Sequence, residues 1–162
     1  MRGKALGFAV AAAITGLTAG SAIAASCDDR TDKAAFHVRS LQTDLMVAAL
    51  TCEAKTEYNS FVRKFRTTLV DHGSALKSLF RNLHGARADK ALNAYVTALA
   101  NRASQRSISK RDHYCETTLR TFNALNGLNP AQLAKFSMQR PASEVDVPST
   151  CRPDVILVDT SK

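Results

Sequence analysis

The sequence holds no Cys-x-x-Cys pair, which argues against a thioredoxin-like redox motif or a zinc ribbon. No His-x-x-x-His pair occurs either, so no helix offers a metal two imidazoles one turn apart. A strand-turn-helix nucleophile elbow is missing as well. Beyond Ala5–Leu17 there is no second long apolar run, so no transmembrane segment is expected in the mature chain. Repeats and low-complexity tracts are absent. Acids are scarce: 14 Asp and Glu stand against 22 Lys and Arg, for a formal charge of +8.

What is present begins with Met1–Ala25, which reads as a secretory signal peptide. Arg2 and Lys4 form its positive start, Ala5–Leu17 its apolar run, and Ala22-Ile23-Ala24 a small-x-small cleavage site. Cleavage lowers the charge to +6, because two basic residues and no acid leave. Ala24-Ala25-Ser26-Cys27 loosely resembles a lipoprotein signal but lacks the usual upstream leucine, so lipidation at Cys27 is the minor reading. The mature chain is expected in the periplasm or outside the cell. All four cysteines (Cys27, Cys52, Cys115, Cys151) lie in the exported part, and an even count there suggests two disulfides.

The expected fold is all-α: a four-helix up-down bundle with a short fifth helix, 26–140, followed by an irregular proline-containing tail, 141–162. Asp28–Asp32 suits a helix start. The first helix is read from Lys33 to Cys52 and taken as central. Ala34, Val38, Leu41, Leu45, Ala48, Ala49 and Cys52 share one face, while Met46, Val47 and Leu50 make the second half apolar nearly all round. The second runs from Thr56 to His84 with Tyr58, Phe61, Val62, Phe65, Leu69, Leu76, Leu79, Phe80 and Leu83 inward, bends gently at most at Gly73, and ends at Gly85. The third covers Ala88–Arg106, with Leu92, Tyr95, Val96, Leu99 and Ala103 inward and a break at Ser107–Ser109. The fourth covers Lys110–Leu125, capped by Ser109 and Asp112, with Cys115, Leu119 and Phe122 inward. Asn129-Pro130 starts a short helix to Met138.

This topology restricts the disulfides. A helix unbroken from Lys33 carries Cys52 ~29 Å from its start, and six extended residues reach at most about 20 Å. Cys27–Cys52 is therefore excluded. Cys52–Cys115 at one end and Cys27–Cys151 at the other is the favoured pairing, with Cys27–Cys115 and Cys52–Cys151 as the alternative.

No catalytic residue, metal site or cofactor site is expected. His72 beside Asp71 is read as a satisfied core or interface histidine, because adjacent helical residues do not face each other. His113, Cys115 and Glu116, with His84 or His37, do not converge on one ion. The surface feature that points outward is basic. Arg63, Arg66, Lys77, Arg81 and His84 fall within about 60° of one another on the second helix, outside its apolar arc. Between Ser60 and Arg111, eleven Lys and Arg stand against Asp71 and Asp89. Such a stripe suits an acidic protein partner or an anionic envelope surface or polymer. Nucleic acid fits poorly, since aromatics do not interleave with the cations. The expected role is an exported binding or accessory protein acting through this stripe. The alternatives are a hydrolase with an undisplayed site and an envelope stress factor acting as a holdase.

Overall fold

The computed structural model describes residues 30–140. The signal segment, the Asp28-Asp29 start, the Cys27–Cys151 pairing and the 141–162 tail lie outside the described residues. Every regular element among them is helical: α1 (Arg30–Thr51), α2 (Lys55–Lys64), α3 (Arg66–His84), α4 (Ala88–Ser109), α5 (Arg111–Asn126) and α6 (Leu133–Met138). Short 3-10 turns occupy Gly85–Arg87 and Pro130–Gln132. The expected all-α fold is the observed one.

α1 is the central helix, packed against each of the other five. Its first half joins α3 and α4 around Phe36, whose ring meets Phe80 at 6.2 Å and Tyr95 at 5.3 Å. Its second half, with α2, α5 and α6, encloses Leu45, Phe61, Phe65, Phe122 and Leu133. The burial around α1 differs from expectation. Ser40 and Thr43 are buried on the side away from the leucines and Asp44 is buried next to Leu41, whereas Met46 and Leu50 are exposed, Leu50 at 70%. Enclosure on both sides therefore runs from the polar middle turns of α1 through Val47, Ala48 and Ala49, and only Met46 and Leu50 of its apolar half face outward.

The second predicted helix is in fact two. Phe65 leaves the helical conformation (φ −103°, ψ 15°) and separates α2 from α3 without glycine or proline. The hydrogen bonds Phe65 N to Phe61 O (3.0 Å) and Leu69 N to Phe65 O (2.9 Å) bracket the break. Its cause is tertiary: α2 packs on α1 and α5, whereas α3 packs on α1 and α4. Gly73 lies inside α3 and starts no break.

The remaining boundaries follow local chemistry. Gly85 ends α3 at φ 53°, and a Cβ there would meet nothing within 4 Å, so glycine answers to the backbone conformation and not to crowding. α4 continues to Ser109 and breaks at Lys110, three residues later than expected. Lys110 is also the N-cap of α5 and makes no side-chain cap bond, so the predicted caps at Ser109 and Asp112 do not form. Asn129 caps the last turn, and its N–H donates back to Gln132 Oε1 at 2.8 Å. On α5 the inward line runs through Tyr114, Thr118, Phe122 and Leu125, which leaves Leu119 exposed at 39% instead of buried.

Candidate functional site

Two regions carry exposed or uncommitted chemistry, and the helix ends that flank them are held by named bonds. Cys52 and Cys115 form a disulfide with Cα atoms 5.5 Å apart, as the antiparallel arrangement of α1 and α5 predicts. Arg111 Nη2 donates to Thr51 O at 2.8 Å, which satisfies a carbonyl at the end of α1. Glu53, just past that end, sits at φ 59°, a left-handed conformation costly for a non-glycine residue. The disulfide at Cys52 and the Arg111 bond hold the chain through this turn. At the end of α5, Lys64 Nζ donates to Leu125 O (3.3 Å) and Asn126 O (2.6 Å), a cation placed where the helix dipole is negative.

The first region is the basic face. Arg66, Lys77, Arg81 and His84 are all exposed on α3 and lie within about 60° of one another. None of the four has an ion pair among the described residues. Val70, 59% exposed, shares their face. The opposite side of α3 buries Leu76, Leu79 and Phe80, so the cations stand on a packed and rigid element. Arg63 is exposed too, but it belongs to α2, on the other side of the Phe65 break, and its Nη2 donates to Ser60 Oγ at 3.2 Å. The structure thus keeps four of the five predicted stripe residues on one helix and assigns Arg63 to another.

The second region was not anticipated. Asp44, in the middle of α1, is 3% exposed. One carboxylate oxygen accepts from Arg106 Nη2 on α4 and the other from Arg140 Nη2 beyond α6. The Asp44 carbonyl accepts from the Tyr114 hydroxyl on α5 at 2.9 Å. One turn of α1 is thereby tied to three other parts of the chain. Beside this cluster a cavity of about 310 Å³ opens between α1, α4 and α5, with Leu41, Leu45, Lys110, His113 and Thr121 among its lining. An acid within the otherwise apolar stretch Asp44–Leu50 is a sequence signal for a buried pair. The identity of its arginines is not readable from spacing.

The predicted histidines fall apart as a site. His37 Nδ1 donates to Ser137 O at 3.2 Å, which docks α6 on α1. Burial lowers the His37 pKa; the Ser137 carbonyl opposes that shift and the Arg140 charge adds to it. Burial likewise lowers the pKa of half-buried His72, against a raising effect of the Asp71 charge. His72 Nδ1 is buried without a partner among the described residues, so this histidine is not satisfied as expected. Cys115 is in the disulfide, and no three His, Cys, Asp or Glu among the described residues are placed to hold a metal. No described helix is long and apolar enough to cross a membrane. No protein-family model, curated protein or solved structure matches the chain.

Proposed function

We propose that the mature chain is an exported, non-catalytic binding module that docks on an anionic surface of the cell envelope through the basic face of α3. The observation that carries this reading is the row Arg66, Lys77, Arg81 and His84, exposed, unpaired among the described residues and mounted on a helix whose other side is core. The row is about 27 Å long at 1.5 Å per residue, a length suited to an extended surface and not to a single small ion. Val70, exposed on the same face, adds apolar area that an interfacial site tolerates. Export is supported by the leader features of Met1–Ala25 and by the Cys52–Cys115 disulfide, a bond that persists in oxidising compartments.

The test is vesicle binding. Each Lys or Arg near an anionic membrane contributes about 1 kcal/mol, so losing three weakens binding more than a hundredfold. Charge attraction at an exposed face is screened over ~8 Å at physiological ionic strength. The whole chain is expected to bind phosphatidylglycerol vesicles and not phosphatidylcholine vesicles, with affinity falling steeply as salt is added. Replacing Arg66, Lys77 and Arg81 together with Glu is expected to abolish binding while helicity and melting stay almost unchanged. Binding indifferent to salt and to the triple reversal would refute the assignment. Loss of vesicle binding alongside salt-sensitive capture of an acidic protein by the same face would replace the membrane with a protein partner.

A further inference from the structure

We propose that the cleft between α3 and α4, with Arg39 of α1 in its lining, seats the phosphodiester headgroup of phosphatidylglycerol. This rests on the docking role of α3 and names the group that its face recognises.

The cleft opens within the basic row. Arg66, Gly73, Lys77 and His84 fall within about 40° of one another on α3, so Gly73 stands in the row between two cations. Beside it lies a cavity of about 340 Å³, lined by Arg39 on α1 and by Leu92, Asn93, Val96 and Thr97 on α4. Gly73, Asn93 and Thr97 are exposed, and Arg39, Leu92 and Val96 partly so, which leaves this lining open to a ligand.

Two observations point to an anion in this place. Arg39 is a partly buried cation with no carboxylate partner among the described residues. Its Nη1 donates to Gln42 Oε1 at a long 3.3 Å, its Nε is buried without a partner, and its Nη2 has no acceptor. A guanidinium drawn into the protein and left this way is costly until an anion joins it. Nη2 is not buried, so it is the nitrogen that a ligand reaches. The second observation is Gly73 itself. It has no positive φ to account for it, and a Cβ there would meet nothing within 4 Å. Glycine weakens a helix interior relative to alanine. Neither backbone nor packing calls for it here; its missing side chain keeps the cleft open.

The lining suits a diester better than a bare ion. The volume of about 340 Å³ lies in the range of small-molecule sites and exceeds what a lone phosphate fills. Asn93 and Thr97, one turn apart on α4, offer an amide and a hydroxyl to the glycerol hydroxyls. Leu92 and Val96 offer apolar surface to its carbons. Among the described residues no acid lines the cleft.

Two measurements test this: binding of the whole chain and two variants to phosphatidylglycerol vesicles, and an amide NMR titration with soluble glycerophosphoglycerol. Lysine keeps the charge but not the planar donor edge, so Arg39→Lys should weaken vesicle binding about tenfold. Gly73→Leu should fill the cleft and weaken binding at least about tenfold while Tm holds or rises, because leucine is the better helix former. Glycerophosphoglycerol should shift the amides of Gly73, Asn93 and Thr97 and leave those of α5 in place. Wild-type vesicle binding by both variants would overturn the headgroup seat and leave the docking face intact. Unshifted amides at those three residues would overturn the seat whether or not vesicles bind. A whole chain that ignores the vesicles would overturn the docking reading and, with it, the lipid as the source of the headgroup.

Discussion

Asp44→Ala is expected to destabilise the protein by about 3–5 kcal/mol, the cost of breaking a buried charge pair from one side. The Asp44 side chain is 5% exposed, and its removal leaves the Arg140 guanidinium, itself in a side chain only 14% exposed, without the carboxylate that compensates it. Arg106, at 35%, is closer to solvent and is expected to recover hydration. The loss should therefore come mainly from Arg140 and reach α6, which His37 also anchors through Ser137. Asp44→Asn keeps the volume and removes the charge, and should be nearly as damaging. Replacing Asp44, Arg106 and Arg140 together with Leu, Met and Met should restore much of the lost stability, because a buried ion pair is worth little against an apolar substitute of similar size. Urea unfolding of the four proteins measures all of this. A cost below about 1 kcal/mol for Asp44→Ala would mean the site is solvated and not buried.

Removing the Cys52–Cys115 disulfide is the second large effect. The two residues are 63 apart in sequence, and closing such a loop is worth roughly 4 kcal/mol in the chain-entropy model, usually somewhat less in practice. At about 4 °C per kcal/mol, the value between the ranges for 60–100-residue and 150–250-residue domains, Cys52→Ala with Cys115→Ala should lower Tm by about 10–15 °C. The local consequence should be concentrated at the end of α1, where Glu53 holds a left-handed backbone. Glu53→Gly should therefore stabilise the disulfide-free protein. Non-reducing peptide mapping should find Cys52 joined to Cys115. A map with Cys52 joined elsewhere, or an unchanged Tm in the double variant, would contradict the latch.

Much of this fold is written in residue spacing. The ends of α1, α4 and α5 fall within about three residues of where apolar periodicity and end signals place them, and Cys52–Cys115 is the pairing that helix rise and an up-down topology together favour. The Phe65 break is invisible to that method. Phe61, Phe65 and Leu69 keep their apolar phase across it, and the chain bends because α2 and α3 take different partners. Leu119 misleads for a related reason. The inward arc of α5 is centred on Tyr114 and Thr118, and a tyrosine and a threonine carry weak apolar signals beside a leucine. The basic face is legible because exposed charges need no partner to be recognised. The Asp44 cluster is legible only as an anomaly, one acid in a buried helix. Its arginines, 62 and 96 residues away, are chosen by packing.

Lysine labelling on bound vesicles tests the docking face most directly. With the chain held on phosphatidylglycerol vesicles, acetylation by a water-soluble reagent should slow strongly at Lys77. It should stay unchanged at Lys55 on α2 and Lys135 on α6, which are also exposed in the free protein. Added salt should restore Lys77 labelling together with release. Lys77 labelled at its free rate while the protein remains bound, or protection falling on Lys55 or Lys135 instead, would contradict docking through α3.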